Sequence, residues 1–201
     1  QAFALVTVAF GVDLQVGLIG TCSMSFPPDE NAVVIAYVEI DLVATFTASS
    51  GVLAVDGRLS PASYIFGGFA HLSGGFAFYT WFDEPHKGEF VVSLGGYHPM
   101  FDPPDYYPKV PRLAIAFGLG PFQVLGQSYF ALTPGAMMAG ISLAATWKTG
   151  PLKVWFDIGA DFLIEWAPFH YEADVYVHLG ISLDLGLFTI SIHVGADLYI
   201  W

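Results

Sequence analysis

Residues 152–201, LKVWFDIGADFLIEWAPFHYEADVYVHLGISLDLGLFTISIHVGADLYIW, decide the fold. Every second residue is apolar: Leu152, Val154, Phe156, Ile158, Ala160, Phe162, Ile164 and Trp166 in a first row. A second row runs through Tyr171, Ala173, Val175, Val177, Leu179 and Ile181, and a third through Ile190, Ile192, Val194, Ala196, Leu198 and Ile200. The residues between are mostly Lys, Asp, Glu, His, Ser, Thr and Gly. Successive side chains of a strand point to opposite faces, so this alternation marks half-buried β-structure. It predicts long antiparallel strands whose apolar rows hide from water on a common surface.

Outward from this stretch the pattern persists. Residues 1–26 alternate through Ala4, Val6, Val8, Phe10, Val12, Leu14, Val16 and Leu18, with Gly11, Gly17 and Gly20 expected to bend or bulge the strand. Pro27-Pro28-Asp29-Glu30-Asn31 is a turn, and residues 32–48 and 52–59 are further strands. Residues 64–82 are aromatic and broken by Gly67-Gly68 and Gly74-Gly75. Residues 95–111 form one long irregular segment, in which prolines 99, 103, 104, 108 and 111 forbid a ladder strand or a regular helix. Residues 113–119, 122–129 and 141–148 are strands, and Ala131–Ala139 is the one stretch where a helical turn fits. The expected fold is all-β: a long-stranded antiparallel meander forming a sandwich or barrel-like double sheet, with one long Pro/Tyr-rich loop. Residues 1–201 make a single β domain.

Composition narrows the functions. The chain is 55% hydrophobic and only 12% charged, with mean hydropathy +0.59. Average domains carry about 25% charged residues, so something is expected to cover part of the surface. A formal net charge of −12, with six scattered basic residues, argues against nucleic acid and anionic membrane surfaces. No run is long and apolar enough for a transmembrane helix. Cys22 stands alone and reads as a small buried hydrophobe. The chain begins and ends inside strand patterns, which suggests an excerpt of a larger protein.

Several blocks carry a family likeness: Gly74–Phe78; Gly95-Gly-Tyr-His-Pro-Met-Phe101 with Tyr107–Leu113; Tyr129-Phe-Ala-Leu-Thr-Pro134 with Met138-Ala-Gly140; and Trp155–Asp157 through Ala160–Trp166 to Pro168–Tyr171. Over residues 52–201 the chain resembles a domain-of-unknown-function family, number 6603, of large β-rich bacterial and fungal proteins. The resemblance implies a β-rich module within a larger polypeptide and brings no catalytic residues with it.

Two groups could carry chemistry. Turning residues 152–166 back at Ala167-Pro168 sets Glu165 opposite His170, Asp161 opposite Asp174 and Asp157 opposite His178. A further turn near residues 185–188 brings His193 and Asp197 beside them. Opposed side chains sit about 5 Å apart, near enough to share a proton or a cation. No cofactor is required, although a divalent cation could sit among Asp157, Asp161, Asp174, His178, His193 and Asp197 if that face is enclosed. If it meets water, the charges are simply screened. The second group is Tyr97, His98, Asp102, Asp105, Tyr106, Tyr107, Lys109 and Arg112. Rings and carboxylates on a stiff loop suit a sugar or another small molecule. The plainer reading makes the loop a structural plug, with Arg112 tied to a carboxylate.

The favoured function is a non-catalytic structural or binding module of a larger protein, enclosing a hydrophobic, lipid-like ligand or packing on the rest of its chain or another copy. A hydrolase- or lyase-like enzyme using either group is the alternative, and a membrane β-barrel a second one. The catalytic motifs His-Glu-x-x-His, Cys-x-x-Cys and Gly-x-Ser-x-Gly are absent.

Overall fold

The computed structural model describes residues 1–10, 14–28 and 32–201. The expected turn at 27–31 and the pattern around Gly11–Asp13 fall partly outside the described residues. Fourteen strands follow one another: β1 (Ala2–Ala9), β2 (Gln15–Phe26), β3 (Ala36–Thr47), β4 (Val52–Leu59), β5 (Tyr64–Ile65), β6 (Ala70–Ser73) and β7 (Gly75–Trp81). Then come β8 (Phe90–Leu94), β9 (Leu113–Leu119), β10 (Phe122–Leu132), β11 (Ala136–Thr149), β12 (Leu152–Trp166), β13 (Phe169–Asp184) and β14 (Thr189–Ile200).

All of them belong to one antiparallel sheet. Because β2 occupies one edge of β3 along its length, β4 and β5 must share the other. Likewise β11 occupies one edge of β10, and β8 and β9 share the opposite one. Thus β4 with β5, β6 with β7, and β8 with β9 lie end to end. The fourteen strands form eleven rows in chain order, a simple meander. The alternation runs unbroken through the joins: Ala70 and Leu72 share a face with Phe76 and Phe78.

The register between β12 and β13 is the expected one, with Asp161 opposite Asp174, Asp157 opposite His178 and Glu165 opposite His170. Between β13 and β14, His178 faces Gly195 and His193 faces Gly180. Other expectations are corrected. Residues 1–26 form two paired strands, and Gly17 and Gly20 sit in unbroken register opposite Thr7 and Ala4, without a bulge. Ala131–Ala139 is strand, bend and strand; among the described residues the one short helical turn lies at Phe66–Gly68. Cys22 is exposed, because it stands on the open face of β2.

Burial differs most from expectation. The apolar rows of β12–β14 are not hidden: Ile192 is 65% exposed, and Phe156, Val194 and Leu198 are exposed as well, whereas Val177 is half-buried. Apart from Ala70, the buried strand side chains belong to the opposite face: Ala54, Ala77, Trp81, Val91, Ser93, Tyr129, Ala131, Met138 and Leu163. The 95–112 loop covers part of this group. Tyr97 and Phe101 pack on a core of Tyr129, Ala131, Ala136, Met138 and Leu163. The arrangement is predominantly antiparallel and sandwich-like, with the sheet as one layer and the folded loop as the other. It does not close as a barrel, since among the described residues β1 pairs only with β2 and β14 only with β13. Among the same residues no helix is long and apolar enough to cross a membrane.

Candidate functional site

The loop departs from and returns to a single row. Leu94 pairs with Phe130 and Leu113 with Ser128, so its two ends lie two residues apart along β10. With five prolines inside, it cannot join the ladder and folds as a compact Ω-type insertion. Its rings are spent on one another. Tyr107 stacks on Trp81 at 5.9 Å, Tyr106 on His86 at 3.8 Å, and Tyr97 lies 5.7 Å from Phe101. Tyr106 donates to a Glu89 carboxylate oxygen at 2.6 Å, and Tyr97 donates to the Pro108 carbonyl at 3.0 Å. Asp102 and Asp105 are exposed on the loop.

Arg112 and His98 face the sheet. The Arg112 guanidinium donates through Nη2 to the Tyr97 carbonyl at 2.9 Å and lies 4.1 Å above the Tyr129 ring. Tyr129 Oη in turn donates to Asp161 Oδ1 at 2.6 Å. The expected Arg112–carboxylate pair is thus replaced by an indirect one, with an aromatic ring between the charges. Burial and then the Asp161 carboxylate raise the Tyr129 phenol pKa, and burial lowers that of Arg112. His98 Nδ1 accepts the Met100 N–H at 3.1 Å, and the His98 N–H is 3.2 Å from Met138 Sδ. Burial lowers the imidazole pKa, opposed by the carboxylates of Asp161, Glu172 and Asp174. Because Nδ1 accepts, the ring proton sits on Nε2.

The two groups read from sequence consequently meet. His98 and Arg112 from the loop stand over Asp161 and Asp174 from the sheet, both half-buried. Tyr106, Tyr107, Asp102 and Asp105 lie elsewhere on the loop. Further along the same sheet face, Asp157 is opposite His178, whose Nε2 lies 2.8 Å from Asp197 Oδ1, and the His193 ring is 6.4 Å from Trp155. Among the described residues, no three His, Cys, Asp or Glu side chains gather with the geometry to hold a metal ion.

Sequence reasoning missed Tyr129, Glu172 and Tyr176. The signal was there: Tyr129 faces Gly140 and Tyr176 faces Gly159 across their ladders. A Cβ on either glycine would overlap the ring opposite, so the strand glycines are seats for aromatic rings.

A recess of about 190 Å³ opens between loop and sheet, lined by Pro99, Arg112, Gln127, Tyr129, Ser142, Asp161 and Tyr176. On the opposite, apolar face a trough of about 560 Å³ is walled by Leu59, Leu72, Leu113, Ile115, Ile141 and Leu143. No curated protein and no solved structure matches the chain. The family model that does match spans residues 1–201, and by that match the chain belongs to a family of unknown function, DUF6603.

Proposed function

We propose that this chain is a non-catalytic, β-rich binding module of a larger protein, and that its working surface is the apolar sheet face. One observation carries the reading: the loop covers the mixed face, while the apolar rows of β12–β14 and the trough beside them stay open. Monomeric proteins rarely expose contiguous apolar patches beyond a few hundred Å². A second apolar layer laid on this face, about 10 Å away as in packed sheets, would remove those rows from water. The groups a hydrolase would use are engaged in holding the loop: Tyr129 with Asp161, Arg112 with Tyr97.

The test is the double substitution Phe156→Glu, Ile192→Glu, compared with wild type by light scattering after gel filtration and by circular dichroism. Association in wild type that the variant loses, with the β-signal kept, is the expected result. Identical association in both would contradict the proposal. A lipid-like ligand is a second reading, favoured by the mainly aliphatic walls of the trough; extraction of the purified chain followed by mass spectrometry distinguishes it.

A further inference from the structure

The mixed face carries a different feature, independent of whatever covers the apolar one. Among the described residues, three buried polar atoms at the loop–sheet junction have no hydrogen-bond partner: His98 Nε2, Arg112 Nη1 and Glu172 Oε2. His98 is 5% exposed and Glu172 9%. Native proteins leave few such atoms, because each gives up its hydration without a replacement. The His98 ring turns Nδ1 toward its own loop to accept from Met100, so Nε2–H, on the far edge, points at the sheet. The His98 ring approaches that of Tyr129 edge-on at 6.3 Å. Tyr129 and Asp161 both line the 190 Å³ recess, as do Pro99, the next residue of the loop, and Arg112.

We propose that this recess binds a neutral, hydroxyl-rich small molecule, a single sugar ring or a polyol, between the Arg112 guanidinium and the Asp161 carboxylate that line it. The recess offers groups of both kinds. The Arg112 guanidinium can only donate, and the Asp161 carboxylate can only accept. An anion would meet the Asp161 carboxylate, and a cation would meet the Arg112 guanidinium. A hydroxyl group donates and accepts at once, so adjacent hydroxyls satisfy both sets without adding charge. Gln127, Ser142 and Tyr176 widen the polar wall. The volume lies below the roughly 300 Å³ of sites for drug-sized ligands, which limits the occupant to about one ring.

Saturation-transfer NMR and thermal-shift assays on the intact chain test this, with glucose, galactose, mannose and glycerol as probes. At least one probe is expected to bind and to raise Tm. Gln127→Leu, which lines the recess, should weaken that binding about tenfold or more. Ser142→Ala, a smaller change on the neighbouring strand, should weaken it in the same direction and serves if the first variant misfolds. No response from any probe up to about 100 mM, far above a ~1 mM dissociation constant, would overturn the proposal. So would binding undiminished in both variants, or a recess occupied by ordered water alone when crystals are soaked in the probes.

Discussion

Tyr129 links the loop to the sheet. Its ring carries the Arg112 guanidinium on one face, and its hydroxyl is held by the Asp161 carboxylate. A hydrogen bond to a charged, partly buried acceptor contributes about 1.5–3 kcal/mol. Tyr129→Phe should therefore destabilise the fold by about that amount, and Asp161→Asn by somewhat less. Combined, the two should cost less than their sum in a urea-melt double-mutant cycle; strict additivity would show that the bond contributes nothing. His98 adds a pH dependence. Its folded pKa lies below the ordinary 6.5, chiefly through burial, so below that value the unfolded chain binds more protons than the folded one. The His98 contribution is complete above pH 6.5 and is lost as the pH falls toward the lowered value. Urea melts at pH 7 and pH 5 should show that loss in wild type, and His98→Gln should reduce it.

Among elements, the strand glycines explain how large rings fit on a crowded sheet. Trp155 lies over Gly180, Tyr176 over Gly159, Tyr129 over Gly140 and His178 over Gly195, each pair directly opposed in its ladder. Gly180→Val would drive a side chain into the Trp155 indole and should cost about 1–3 kcal/mol. Ser182→Val, two residues along the same strand, should be nearly neutral by thermal melting. Strand identity was legible in the period-two alternation, and the β12–β14 register in the turns at Ala167-Pro168 and near residues 185–188; a slip of one residue would invert every side chain. The loop was legible through its prolines. Its destination was not, because nothing local in residues 95–112 says which face of a sheet they will cover. The buried face escaped notice for a related reason: Ala54, Ala77, Ser93, Ala131 and Gly140 are small and mixed with polar residues, so they read as a solvent face. Ala131 lies under the folded loop, and Gly140 seats the Tyr129 ring. Glu172 and Tyr129 became visible only once that loop was in place.

At the scale of the whole molecule, two faces of one meander have exchanged their expected roles. The mixed face, with Met138 fully buried, is closed by the loop, and the greasier face is left for another layer. The sheet's outer rows are covered on neither face, since β1 and β14 are exposed along their whole lengths. Three of the four methionines report on this arrangement without any substitution. Met24 lies on the apolar face of β2 and is 70% exposed, Met100 is 70% exposed on the loop, and Met138 beneath the loop is 0% exposed. Thioether oxidation follows exposure. Peroxide treatment of the isolated chain, followed residue by residue with peptide mass spectrometry, should convert Met24 and Met100 quickly and leave Met138 intact until the fold opens. Met138 oxidising as fast as Met100, or Met24 protected as Met138 should be, would contradict the assignment of the covered and open faces.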